Sequence, residues 1–404
     1  MLPRLLHALG ATVRGSAPGL TPEAVSRTIG LARITLIIGL VFLHYQSFPN
    51  SQVSPFDGMD PQRHQVATFV NSFVLFFFCS AVPLLSMISG WLFFAWEPGL
   101  ALPALRTRIA RRVESLYMPL VLWNGVFLLV LWAVFVAAPG HPLLTQLNIS
   151  FADASLLDYL NAVFAVTGHP VGFQFWFLRD LFVAVLASPL LWLLLRYAPY
   201  VGMLALGAAW MIGHELWVFF RADVVLFFYL GGFMRMYKVP LELGRKTVAV
   251  ALLLYIALVA LRAGAPLVLD LEQGRPVLLT AATRAMRLLG VVACWGLLLQ
   301  LSATRLGVRI ARLGGLAFFV YALHFPLIAQ IKLMLWPLLP AQSDGWMLAH
   351  YAITVAVTAL MTISAALVLN QVAPRLFSVL NGGRSGLAQP ARTHPASHSL
   401  PLGS

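Results

Sequence analysis

Long apolar segments dominate this chain and constrain its fold more than any other feature. A helix needs about 20 mostly apolar residues to cross a bilayer. About ten candidate segments lie at 29–48, 71–96, 115–138, 174–196, 199–219, 222–237, 246–262, 285–302, 315–339 and 346–372. The pattern predicts an all-α polytopic integral membrane protein with about ten transmembrane helices.

The composition agrees with a lipid environment. Apolar residues form 60% and charged residues 10% of the 404 positions, and the mean hydropathy is +0.84. Soluble domains carry about 25% charged residues because their surface faces water. The net charge of +13 does not indicate nucleic-acid binding, because the basic residues lie mostly in short loops between apolar runs. No Cys/His tetrad or HExxH pattern predicts a metal site.

The distribution of basic residues predicts an orientation. With ten spans, nineteen basic residues in loops and at span ends fall on one side and six on the other. Because cytosolic loops carry the excess of Lys and Arg, both termini are expected in the cytosol. The six on the opposite side are Arg63, Arg221, Arg262, Arg275, Arg284 and Arg287.

The same segments suggest three regions. Residues 1–28 form a cytosolic N-terminal segment, 29–378 the transmembrane domain, and 379–404 a disordered cytosolic tail rich in Pro, Ser and Gly. The longest gap between spans suits a short interfacial helix around 155–166.

Arg33 and His44 stand out in the first apolar segment, eleven residues apart. On a helix this spacing is just over three turns, so both face the same way about 16 Å apart. A charged side chain inside a membrane costs free energy and invites a functional explanation. The alternative is a snorkelling arginine and an ordinary interfacial histidine.

Two further sets of charges have both a functional and a structural interpretation. Arg179 and Asp180 lie inside an apolar run after three aromatic residues, where a structural ion pair is at least as well supported as direct catalysis. Four arginines crowd the loop between the second and third segments. They suit phosphate binding, yet a positive-inside loop without a ligand explains them equally well. They are Arg106, Arg108, Arg111 and Arg112.

A second intramembrane histidine lies in the ninth segment. Tyr321 and His324 are one turn apart, and Pro326 follows and frees a backbone carbonyl. A histidine beside a tyrosine can be a simple helix–helix hydrogen bond. Two such histidines on separate spans favour proton transfer instead, because imidazole accepts and returns a proton near neutral pH.

Six features together resemble the membrane-bound acyltransferase 3 family, which acylates sugars and other acceptors across bacterial membranes. One is a basic residue separated from a histidine by ten residues, Arg33 and His44. The others, in order, are SMISGWLFF, RIARRVESLYMPLVLW, FWFLRDLFVAVLASPLL, LFFYLGGFM and GGLAFFVYALHFPLI. The resemblance covers residues 29–330.

This sequence departs from the family pattern in places. Ala317 replaces the serine common in the late motif, so no hydroxyl is available there. The R-x-x-R of the inner loop reads as Arg108 and Arg111, but alignment to Pro119 favours Arg112 and leaves the pair unassigned. The periplasmic esterase-like domain that some members carry has no counterpart.

The resemblance implies a membrane O-acyltransferase with no bound cofactor. Its donor is a cytosolic acyl-CoA, with acetyl-CoA the first candidate. The acceptor is a hydroxyl of a glycan, such as an exopolysaccharide or lipid-linked oligosaccharide. His44 is implied as the general base or a transient acyl carrier, and His324 and Tyr321 as groups that position the thioester or assist proton transfer.

The resemblance also implies binding residues and a location. Donor phosphates are assigned to Arg33, Arg108, Arg111 and Arg112, and the vestibule to Trp176, Arg179 and Asp180. The expected location is the bacterial cytoplasmic (inner) membrane, with membrane lipids and polysaccharide-assembly proteins as partners and no nucleic acid. The alternative is a multi-pass transporter or exporter of a small molecule or glycan, although no matching pair of broken helices is evident in the two halves.

Overall fold

The computed structural model describes residues 20–95, 101–270, 276–339, 343–384 and 386–387. Most of the predicted N-terminal segment 1–28 and most of the tail 379–404 lie outside these ranges. Every regular element in the described part of the chain is helical, and no strand occurs there. The all-α prediction is confirmed.

Sixteen α-helices run through the described ranges, and a π-helical turn at Val113–Tyr117 joins α4 to α5. In chain order they are α1 (Pro22–His44), α2 (Gln65–Phe78), α3 (Ala81–Phe93), α4 (Ala101–Arg112), α5 (Met118–Ala137), α6 (Leu156–Phe164), α7 (Trp176–Leu186), α8 (Ser188–Tyr197), α9 (Pro199–Ile212), α10 (Ala222–Met236), α11 (Arg245–Ala263), α12 (Val277–Ser302), α13 (Arg305–Ala311), α14 (Ala317–Leu335), α15 (Asp344–Val372) and α16 (Pro374–Leu380).

Several of these helices are long and apolar enough to cross a bilayer. Within the described ranges there are seven such stretches: α1, α2 with α3, most of α4 with α5, α11, α12, α14 and α15. The pair α7 and α8, bent by 59°, adds an eighth if it is one span. Helices α9 and α10 have 14 and 15 residues, fewer than a full span needs. The chain is thus a multi-pass membrane protein, with seven or eight spans by length among its described residues, and the count of ten remains a prediction.

Helix α6 occupies the region where a short helix was predicted. Ser155 begins it with a capping box, in which the Ser155 backbone N–H donates to Asp158 at 2.8 Å. Leu156 and Leu157 are 76% and 59% exposed. Exposed leucines beside a polar cap suit a helix that lies in the membrane interface.

Helix α10 is largely buried and packs against α3 through glycine. Phe227 and Phe228 on α10 are at most 1% exposed. A Cβ atom on Gly90 would lie 1.9 Å from the carbonyl oxygen of Phe228, and one on Gly231 would lie 2.0 Å from that of Met87. The two backbones therefore touch, which membrane helices achieve with small residues.

The close approach predicts the effect of one added methyl group. Gly90→Ala places a Cβ against a backbone carbonyl that has no side-chain freedom to move, and should destabilise the fold by about 1–3 kcal/mol. Thermal unfolding of the detergent-solubilised chain measures the change. Gly207→Ala on α9 is the control, because nothing lies within 4 Å of its added Cβ. Equal melting temperatures for the two variants would contradict the packing.

Candidate active site

The two intramembrane histidines meet directly. His44 is the last residue of α1, and its Nδ1 lies 2.6 Å from Nε2 of His324 on α14. The rings are stacked with centroids 4.9 Å apart. His324 is fully buried and His44 is 8% exposed. Residues 280 positions apart in the chain thus form one hydrogen-bonded pair.

The contacts of His324 determine which nitrogen of His44 is available. Nδ1 of His324 lies 2.6 Å from the carbonyl oxygen of Tyr321, which can only accept. Nδ1 of a neutral His324 therefore carries the proton, and its Nε2 accepts from Nδ1 of His44. This arrangement leaves Nε2 of His44 with the lone pair, which is the nitrogen a base or nucleophile needs.

Gln174 holds the broken part of α14 in place. Pro326 has no N–H, so the carbonyl of Ala322 four residues earlier loses its helical partner. The side-chain Nε2 of Gln174 donates to that carbonyl at 2.8 Å and to the carbonyl of Phe325 at 2.9 Å. One side chain therefore pairs two buried carbonyls next to His324.

Tyr321 orients this region as well. Its hydroxyl donates to the backbone carbonyl of Gln174, and its own carbonyl accepts from His324. Tyr321 is 2% exposed. These contacts make Tyr321 a positioning residue for His324, while its ring still lines the cavity beside His44.

The His44 cavity has a volume of about 90 Å³. Aromatic and aliphatic side chains line most of it, with a few polar groups between them. The Oε1 atom of Gln174 is buried and has no hydrogen-bond partner among the described residues. The lining that bears on function comprises His44, Gln174, Trp176, Tyr321, Arg221, Asp223 and Arg287.

A second cavity of about 300 Å³, the Arg287 cavity, adjoins the first. It is lined by Arg221, Asp223, Arg262, Arg284 and Arg287 together with His214 and Glu215. Phe56, Arg221, Asp223 and Arg287 line both cavities. The two spaces therefore share a wall.

Arg179 and Asp180 fix the backbone at residues 220–221, next to the wall that the two cavities share. Asp180 is fully buried and accepts from the backbone N–H groups of Phe220 and Arg221 at 3.1 and 2.8 Å. Arg179 pairs with Asp180 at 3.0 Å and donates to the carbonyl of Val166 at 2.9 Å. The ion pair is therefore structural, and it sets the position of Arg221.

The third and largest cavity, the Arg33 cavity, has a volume of about 1660 Å³. Six basic residues line it against two acidic ones, Glu23 and Glu242. The six are Arg27, Arg33, Arg235, Lys238, Arg312 and Arg384. A cavity with this excess of positive charge suits a polyanionic ligand.

Arg384 was not among the predicted donor-binding residues, because it follows the predicted end of the transmembrane domain. Burial, then the charges of Arg33 and Arg112, lowers the pKa of Arg384 to about 9. Its guanidinium lies 4.6 Å from the Phe318 ring and donates to the Ser115 carbonyl at 3.1 Å. Three arginines from distant parts of the chain therefore act on one another here, and a bound anion would relieve their repulsion.

The other predicted donor-binding arginines have different environments. Arg108 donates to the carbonyls of Leu92, Phe93 and Ala95, at 3.1, 2.6 and 2.6 Å. These groups lie at the end of α3, so Arg108 caps that helix. Arg111 is exposed. The assignment of either one to the donor stays a prediction.

Comparison with known proteins agrees with the resemblance seen in the sequence. A family model described as an acyltransferase domain matches residues 27–370. The chain belongs to the acyltransferase 3 family. A relative in it, the succinoglycan biosynthesis protein ExoH of Rhizobium meliloti (strain 1021), is 27% identical over 379 residues, which cover 92% of this chain and 96% of ExoH. No solved structure matches the chain.

The geometry around Gln174 yields a test. Gln174→Leu keeps much of the side-chain volume but leaves the Ala322 and Phe325 carbonyls unpaired, at about 1–3 kcal/mol for each buried group. We expect a lower melting temperature and reduced activity. Gln371→Leu, at an exposed position on α15, is the control and should unfold like the wild type. A Gln174→Leu variant as stable as its control would show that these contacts contribute nothing.

Proposed function

We propose that the chain is an O-acyltransferase of the bacterial cytoplasmic membrane that moves an acyl group, first of all acetyl, from cytosolic acyl-CoA to a glycan hydroxyl. The observation that carries the proposal is the His44–His324 pair, whose hydrogen bonds leave Nε2 of His44 as the lone-pair nitrogen. The family membership supports acyl transfer. The similarity to ExoH, a succinoglycan biosynthesis protein, supports a polysaccharide acceptor.

The donor would bind at the Arg33 cavity. Acyl-CoA carries phosphates, and guanidinium groups bind phosphates through charge-assisted hydrogen bonds. Arg33 and His44 lie on one face of the unbroken helix α1, about 16 Å apart by the helical rise. The pantetheine arm of the donor is long enough to extend over such a distance.

His44 acts as the general base in the proposed acyl transfer. Nε2 of His44 takes the proton of the acceptor hydroxyl while the oxygen attacks the thioester carbonyl. The C–S bond then breaks, and the thiolate takes that proton to leave as free CoA. Attack by Nε2 itself, which forms an acyl-histidine before transfer, needs the same lone pair.

His324 supports either route by accepting from Nδ1 of His44, which keeps the ring in one tautomer and orientation. The unpaired Oε1 of Gln174 offers an acceptor in the same cavity. A hydroxyl of the glycan or an amide N–H of the pantetheine arm would satisfy it.

The expected topology places these sites across the membrane. With ten spans and cytosolic termini, the bias of basic residues puts the Arg33 cavity on the cytosolic side and the Arg287 cavity on the opposite side. His44 then lies between donor and acceptor. Polysaccharide-assembly proteins are the partners that such a reaction would need.

A first test uses the chain in proteoliposomes with radiolabelled acetyl-CoA and an oligosaccharide acceptor. His44→Ala should lower transfer by at least about 10²-fold because the base is lost. His324→Gln, whose amide oxygen still accepts from His44, should retain more activity than His324→Leu. His141→Gln, in the loop after α5, is the control. Full activity in folded His44→Ala would refute the role of His44, and acceptor movement without acylated product would indicate a transporter.

A second test concerns the donor site. Arg33→Gln and Arg384→Gln should each raise the KM for acetyl-CoA by about tenfold or more, since each removes a charge-assisted contact. The turnover number should change little. Arg305→Gln, at an exposed position outside the Arg33 cavity, should leave KM unchanged. Equal KM values for all three variants would exclude the Arg33 cavity as the donor site.

A further inference from the structure

The Arg287 cavity concentrates positive charge on the side of the membrane that the sequence predicts to carry few basic residues. Of the six basic residues assigned to that side, four line this one cavity: Arg221, Arg262, Arg284 and Arg287. The positive-inside rule disfavours arginine there. The positive-inside rule therefore does not explain why these four arginines cluster.

The acidic residues of the cavity do not neutralise these arginines. Asp223 and Glu215 are the two carboxylates among its described lining, against four guanidinium groups. Arg262 has a structural role, because it donates to the carbonyls of Phe56 and Asp57, each at 2.9 Å. Arg284 donates to the backbone carbonyl of Met211 through one of its two Nη atoms, and Arg221 and Arg287 contact Asp223.

Asp223 is shared between two arginines and is incompletely paired. Its Oδ2 lies 3.3 Å from Arg221 and 3.4 Å from Arg287. Its Oδ1 and the Nε of Arg287 are both buried, and neither has a hydrogen-bond partner in the described part of the chain. An unpaired buried acceptor and an unpaired buried donor, on two residues that line this cavity, need partners that the described residues do not supply.

We propose that the Arg287 cavity binds an acidic sugar residue of the acceptor glycan. Its anionic group, a carboxylate or phosphate, accepts from Arg284 and Arg287, and one of its hydroxyls donates to Asp223. The inference rests on the proposed O-acyltransfer and specifies the acceptor. Because Arg221, Asp223 and Arg287 also line the His44 cavity, a sugar held there presents a neighbouring hydroxyl to His44.

The pairing of an anion site with an acceptor for a hydroxyl favours an acidic sugar over a simple phosphate. Arg284 and Arg287 bind the anionic group, and Asp223 accepts a hydrogen bond from the hydroxyl beside it. Guanidinium forks suit planar carboxylates and phosphates.

Binding to the full-length chain in nanodiscs tests the proposal without relying on catalysis. The probes are cellotetraose and the same tetrasaccharide with one glucose replaced by glucuronic acid or by glucose 6-phosphate. We expect the acidic probes to bind at least about tenfold more tightly than cellotetraose at low salt. Added salt should weaken that preference.

Variants test whether the Arg287 cavity causes the preference for acidic probes. Arg284→Gln should reduce the difference in affinity between acidic and neutral probes to about twofold or less, since one charge-assisted contact is lost. Arg284→Lys should retain part of that difference. Arg63→Gln, an exposed arginine of the loop after α1 that does not line the cavity, is the matched control. Melting temperatures verify folding, and the salt dependence of the wild type tests the site if a variant does not fold.

Three results would overturn the proposal. These are equal affinity of the wild type for neutral and acidic probes, an unchanged preference in folded Arg284→Gln, or displacement of the acidic probe by short-chain phosphatidylglycerol as readily as by itself.

Acyl-transfer assays with the same probes separate this inference from the proposed function. Transfer to neutral and acidic probes alike, without preference, would retain acyl transfer and reject the acidic-sugar site. Preferential binding of the acidic probes without any transfer would support the site and reject acyl transfer.

Discussion

The hydrogen bond between His44 and His324 is the contact on which the rest of the site depends. It joins the end of α1 to the break in α14, and the carbonyl of Tyr321 determines its direction. If His324 moved, His44 would lose both its partner and its tautomer. Because no water replaces a lost partner inside a bilayer, each such contact has to be supplied by the protein.

The need for the protein to supply every buried hydrogen-bond partner also explains the groups around His44 and His324. Pro326 frees the carbonyl of Ala322, and Gln174 pairs it. Asp180 accepts two backbone N–H groups next to Arg221, so a structural ion pair sets one wall of the cavity. Close backbone contact at Gly90 keeps α3 against α10 beneath these elements. A polar site in lipid is therefore built from mutually dependent contacts.

Much of the fold and part of the site could be predicted from sequence, because lipid imposes long apolar helices and makes each intramembrane charge conspicuous. His44, His324 and Tyr321 are the residues that the sequence singles out, and their catalytic roles remain predictions. Their meeting across 280 positions could not be predicted, since helical periodicity says nothing about partners. The cap that Arg108 forms on α3 and the inclusion of Arg384 beside Arg33 depend on tertiary packing.

Nitrogen-15 NMR of histidine-labelled protein in nanodiscs tests the central claim most directly, with His44→Gln used to assign the His44 signals. At neutral pH we predict that Nδ1 of His44 is protonated and coupled to Nε2 of His324 through their hydrogen bond, while Nε2 of His44 is unprotonated. A proton on Nε2 of His44 would contradict the account, because that nitrogen could then neither take a proton nor attack a thioester.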